Sequence, residues 1–198
     1  MSTLIEILIF LVQTLASVYL LAILLRFLMQ LARANFYNPI SQLVVKLTNP
    51  VLLPLRKVVP GLWGIDLASL ILALGFHWLV LEILVLLKAG TLISPITALI
   101  WSLIGNALYV ANIYLVSFFV IMIASFVAPF SRHPALVLIF QVAEPFLAPF
   151  RRLIPPTGGI DLSLFFASIA LYVIRMALNG IAGELGVPGG LLLGSLPF

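Results

Sequence analysis

Asp66 and Asp161 each follow Gly-Ile (Gly64-Ile65, Gly159-Ile160) and each opens a long apolar stretch. A carboxylate at a helix N-terminus accepts orphan N–H groups and favours the helix dipole, so capping alone is a sufficient reason for both. The chemical alternative is a pair of quasi-symmetric carboxylates at the mouth of a membrane protein, recruiting cations as carboxylate rings do in pores. Ahead of each aspartate come two prolines and two basic residues: Pro50, Pro54, Arg56 and Lys57, then Pro145, Pro149, Arg151 and Arg152. These cations suit topology and anchoring to anionic headgroups, at about 1 kcal/mol per basic residue near the surface. Pairing Arg56 with Asp66 and Arg151 with Asp161 would close each loop, and the same basic segments offer a docking place for a cytoplasmic partner.

Glu82 and Arg175 lie inside apolar stretches, sixteen residues after Asp66 and fourteen after Asp161. At 1.5 Å per residue that is roughly 24 and 21 Å along a helix. Opposite charges at similar depth suggest an intramembrane ion pair, because buried ionisable groups usually face a partner or a cavity. Snorkelling of both to the outer interface is the alternative. The two histidines, His77 and His133, have no second ligand one helical turn away, so a satisfied polar role for His77 is expected and no metal or haem site. Gln13, Thr14, Asn106 and Asn112 read as polar groups joining helices. There is no cysteine, which excludes disulfides and thiolate chemistry. No Ser-His-Asp set, P-loop or carboxylate dyad occurs. The expectation is a protein that is not an enzyme and holds no cofactor.

The elements that must position these residues are membrane spans. Of the residues, 64% are hydrophobic and 8% charged, and the mean hydropathy is +1.29. Soluble domains are about 25% charged, so lipid must cover most of this surface. The net charge of +4 is scattered over loops and forms no stripe for nucleic acid. A crossing takes about 20 apolar residues, and four stretches supply it: 4–25, 67–87, 108–127 and 162–181. Segments 49–59 and 144–154 are too short to cross and predict interfacial or shallow re-entrant Pro-rich helices. Segment 91–105 either lies at the outer interface or extends the third span. Arg26, Arg33, Lys46, Arg56 and Lys57, then Arg132, Arg151 and Arg152, put both Pro-rich loops in the cytoplasm by the positive-inside rule.

Displacing the chain by 95 positions, so that Pro50 falls on Pro145, also superposes Pro54 on Pro149, Arg56 on Arg151, Pro60 on Pro155, Gly64 on Gly159 and Asp66 on Asp161. Such rare residues at fixed spacing argue for an internal duplication. The predicted fold is an all-α membrane protein: four transmembrane helices as two tandem helix–loop–helix repeats with short interfacial Pro-rich helices. Residues 1–90 form the first repeat, 91–107 a linker, 108–185 the second repeat and 186–198 a tail. The repeats would be parallel, related by an axis along the membrane normal.

The doubled Pro-x-x-x-Pro-x-Arg-[Lys/Arg]-x-x-Pro with Gly-Ile-Asp resembles the YggT family of bacterial inner-membrane proteins, whose relatives include the YlmG proteins and plastid homologues. The resemblance covers about residues 10–185. An arginine in the helix before the loop also fits the family: Arg26 supplies it in the first copy, while the second has Ile121. The resemblance implies an inner-membrane, multi-pass protein in osmotic-stress and potassium homeostasis, as a small conduit or a modulator of one. It equally allows a non-catalytic scaffold or assembly factor, in cell division or cytochrome and membrane-complex biogenesis, that binds through its basic loops. The expected partners are the lipid bilayer, a second copy of the chain in a homo-oligomer, and a membrane or cytoplasmic protein.

Overall fold

The structure, a computed structural model, describes residues 3–61, 64–128, 130–154 and 161–194. It is all-helical: α1 (Thr3–Leu31), α2 (Pro39–Arg56), α3 (Leu67–Ala89), α4 (Pro95–Val127), α5 (Pro134–Leu153), α6 (Leu162–Glu184) and a last 3-10 turn, Gly189–Leu191. All of the α-helices except α2 are long and apolar enough to cross a membrane. Their outer faces display Leu4, Phe10, Phe119, Phe165 and Val173 to the surroundings. The protein is therefore a polytopic membrane protein, with lipid as the solvent for these faces.

Local chemistry sets the helix starts. Asn38 and His133 cap α2 and α5, each just before a proline at the first helical position: Ile40 N–H donates to Asn38 Oδ1 at 2.9 Å and Ala135 N–H to His133 Nδ1 at 3.3 Å. Asp66 and Asp161 cap α3 and α6. At the other end of α3, Gly90 takes the left-handed conformation (φ 69°) and its N–H donates to Leu86, a common helix stop.

One expectation changes. The Pro-rich helices are not eleven-residue pieces: α2 has 18 residues and α5 has 20. They run straight through Pro50 and Pro54, and through Pro145 and Pro149. All four prolines are exposed, while Thr48 and Leu52, and Ala143 and Leu147, form the buried stripe. The hydrogen bonds that proline removes thus fall on the outer face of each helix, where they disturb no packing. Of the two readings of segment 91–105, the extension of the third span holds, and its part from Pro95 on is no separate interfacial helix. It is the first third of α4, which has 33 residues and is roughly 50 Å long, well beyond a hydrocarbon core of about 30 Å.

α3 packs on α1 and on α4, and α4 packs in turn on α5 and α6. Leu20, Leu24, Leu28, Leu81, Leu84 and Phe118 are almost fully buried in this seam. Phe146 of α5 joins Tyr114 and Phe118 of α4, with ring centroids 5.4 and 5.8 Å apart. A cavity lined by Gln30 and Leu31 at the end of α1 is lined also by Gly64 and Ile65, just before α3. Both ends of α2 therefore lie at the same end of the bundle. Asn38 Nδ2 donates to Pro134 O at 2.7 Å, which brings the start of α5 to that end as well.

Residues 185–194 fold back between the helices. Val187, Leu191, Leu192 and Leu193 are buried. Gln13 Nε2 donates to Gly190 O and Asn112 Nδ2 to Gly194 O, both at 2.7 Å. Trp101 Nε1 donates to Leu185 O at 3.2 Å. Irregular backbone at membrane depth persists where protein groups satisfy it, and these side chains do so.

Candidate functional site: the two loop-closing ion pairs

In the first half, the Arg56 guanidinium reaches back from the last turn of α2 to Asp66. Asp66 also accepts from Ser69, at its N–H (3.3 Å) and its hydroxyl. The backbone geometry depends on Gly64, whose φ of 83° lies where side chains are strained. Asp66 is only 4% exposed. Burial by itself would raise its carboxyl, but hydrogen bonds from Arg56 and Ser69 outweigh burial and hold it below the ordinary carboxylate value.

The second half repeats the arrangement with a difference. Arg151 Nε donates to Asp161 Oδ2 at 3.0 Å, and Asp161 accepts from the N–H (3.1 Å) and hydroxyl of Ser163. Arg151 is shared, because it also pairs with Glu144 one helical turn pair earlier in α5. Asp161 is 22% exposed, so this site is wetter. Pro155 and Gly159 lie outside the described residues. Lys57 and Arg152, next to the paired arginines, are exposed.

Glu82 and Arg175 do not meet. The ion pairs among the described residues are Arg56–Asp66, Arg151–Asp161 and Arg151–Glu144. Glu82 Oε2 instead accepts the N–H of Ile93 at 3.2 Å, clasping the turn between α3 and α4. α4 packs against both α3 and α6, so the two charges sit on helices joined through a third. Arg175 is buried on α6.

Two groups carry more than their sequence context announced. His77 is fully buried; its Nδ1 lies 2.9 Å from Asn106 Oδ1, and Leu193 N–H approaches its Nε2 at 3.4 Å. An acceptor on one side and a donor on the other assign the proton to Nδ1. His77 is thus the link between α3, α4 and the folded-back tail. Gly105 stands directly beneath the ring, where any Cβ would collide with it. Arg26 reads in sequence as a charge at a helix end beside the first loop, yet it is 7% exposed and, among the described residues, its Nε and Nη1 have no hydrogen-bond partner. Its flanks, Leu24, Leu25, Phe27 and Leu28, were the available signal of burial.

Among known proteins, the family model described as CCB3/YggT matches residues 5–87 and 93–182. An uncharacterized protein of Pseudomonas aeruginosa is 46% identical over 184 residues, 91% of this chain and 92% of that protein. The uncharacterized protein YggT of Escherichia coli K12 is 39% identical over 191 residues, 94% of this chain and 95% of its own. An uncharacterized protein of Vibrio alginolyticus is 34% identical over 178 residues, 89% and 95% of the two chains. No solved structure matches.

Proposed function

The chain belongs to the CCB3/YggT family, and on that footing we propose that it is a non-catalytic scaffold or assembly factor of the bacterial inner membrane. Its two basic, Pro-rich loops bind a protein partner. One observation carries this reading: both motif carboxylates are spent inside the chain, on Arg56 and Ser69 and on Arg151 and Ser163, while Lys57 and Arg152 remain exposed. A mouth that recruits potassium needs carboxylates turned to the ion, so the conduit has less support.

The proposed topology has α1, α3, α4 and α6 crossing, with α2 and α5 along the boundary. The co-location of both ends of α2 supports it, as does the Asn38–Pro134 contact. The matched segments 5–87 and 93–182 support reading the halves as tandem repeats. The loop charges support a cytoplasmic placement of both motifs.

Potassium flux into liposomes holding the pure protein tests the reading. Flux no greater than in empty liposomes, at verified incorporation, is expected. Flux that falls in a double Asp66→Asn, Asp161→Asn variant of intact fold would replace the scaffold with a conduit. A photo-crosslinker at Val58 or Leu153, both exposed, should give discrete protein adducts in cells, lost when Lys57 and Arg152 are changed to Gln.

A further inference from the structure

Arg26 sits near the end of α1, five residues before Leu31, at the level where an apolar helix reaches the headgroups. Its guanidinium carbon lies 4.9 Å from the centre of the Phe36 ring. That contact occupies one face of the cation and leaves the in-plane edge that carries Nε and Nη1 open to an acceptor. Among the described residues Nε and Nη1 have no acceptor, and a buried cation with such unmet donors is costly. The acid near this end of α3, Asp66, is already engaged by Arg56.

Beside Arg26 opens a cavity of about 330 Å³, lined also by Phe36, Gln42, Val45 and Lys46. Lys46 lines in addition the adjoining groove that holds Arg56 and Lys57. The place is thus cationic, with an aromatic wall and a charged rim.

The other half of the molecule shows that the fold does not need an arginine here. At the positions 95 residues on, Arg26 is replaced by Ile121, Phe36 by Ser131, Gln42 by Val137 and Lys46 by Gln141. Ile121 is 1% exposed and packs in the core, and Gln141 accepts the N–H of Asn35 at 3.0 Å. An apolar residue serves the same helical position. The buried cation and everything around it belong to one half alone.

We propose that Arg26 and Lys46 form a binding site for a phosphate group, which enters the cavity beside Phe36 from a membrane phospholipid or from free phosphate. The phosphate oxygens accept from the guanidinium in its plane, and the Lys46 ammonium, at the rim, adds a point charge.

The test uses the full chain in nanodiscs of equal parts phosphatidylglycerol and phosphatidylcholine with matched acyl chains, followed by native mass spectrometry of the released protein. A second arm adds inorganic phosphate to the delipidated protein and reads thermal stability. The variants are Arg26→Ile, which copies the other half, Lys46→Gln on the exposed face of α2, and Lys88→Gln at the far end of α3 as the charge-matched control. Wild type should retain phosphatidylglycerol in preference to phosphatidylcholine. Arg26→Ile and Lys46→Gln should each cut that retention about fivefold, and Lys88→Gln should leave it unchanged. Arg26→Ile should fold at least as well as wild type in lipid-free detergent, which an arginine needed only for structure would not allow. If stabilisation by inorganic phosphate shows the same variant dependence and lipid retention does not, the site holds free phosphate. Equal behaviour of wild type and Lys46→Gln in both arms overturns the proposal, as does an equal loss in Lys88→Gln.

Discussion

Arg56 and Asp66, ten residues apart in the chain, meet in an ion pair that ties the end of α2 to the first turn of α3. The carboxylate is nearly inaccessible and the guanidinium partly exposed, so the two ends of the pair are unequal. Removing the arginine strands a buried charge, whereas removing the carboxylate frees a cation that water can reach. Arg56→Gln should therefore cost more than Asp66→Asn, about 2 kcal/mol in unfolding of the detergent-solubilised protein. Equal losses would contradict this asymmetry.

The same pair predicts a pH dependence. The folded Asp66 carboxyl is held below its ordinary value, and an unfolded aspartate titrates near about 3.9. Its stabilisation is then complete above the unfolded value and is lost as pH falls through the folded one. The unfolding midpoint should drop as pH falls below about 4, with a shallower slope in Asp66→Asn. Parallel slopes in the two proteins would argue against the linkage.

The second loop should be more tolerant. Arg151 divides itself between Asp161 and Glu144, and Asp161 is the wetter carboxylate. Asp161→Asn and Glu144→Gln should each cost about 0.5 kcal/mol, in the range of exposed pairs, while Arg151→Gln removes both partners and should exceed their sum. Thermal unfolding of the three variants decides it.

His77 and Gly105 make a packing prediction. A Cβ at residue 105 would strike the His77 ring and approach Leu192 Cδ2 to 2.9 Å, so Gly105→Ala should cost about 1–3 kcal/mol by overpacking. Gly75→Ala, on α3 with nothing within 4 Å of the added carbon, should be neutral or slightly stabilising. The chain lacks cysteine, so a Leu192→Cys probe is available; its labelling should speed up only in the Gly105→Ala background.

Orientation is directly testable on the same cysteine-free chain. Val58→Cys and Leu153→Cys, at exposed positions beside the two basic pairs, should resist an impermeant maleimide in intact cells. Leu92→Cys, exposed between α3 and α4, should react. Labelling of all three would remove the proposed parity.

Hydropathy and turn chemistry made much of this readable. The apolar runs marked where α1, α3, α4 and α6 lie, and Gly-Ile-Asp marked the start of α3. Periodicity failed at the prolines, which looked like boundaries of short helices. An exposed proline removes a hydrogen bond from a face that packs on nothing, and α2 and α5 run on through it. Charge spacing failed for Glu82 and Arg175 because depth along a helix carries no information about which neighbour lies beside it. The burial of Arg26 was harder to read: an arginine at a helix end beside a loop is expected to be wet, and only its apolar flanks hinted that it is 7% exposed.

Gln13 and Gly190 are 177 residues apart in the chain yet share a hydrogen bond. The first helix to enter the bilayer therefore waits with an unmet amide until almost everything after it has been made. Contacts of such long range are slow to form. The far end of the bundle is a latch that fastens only once residues 185–194 are in place. A cargo protein fused just beyond residue 194 would pull on that latch, where the same cargo attached before α1 would leave it shut.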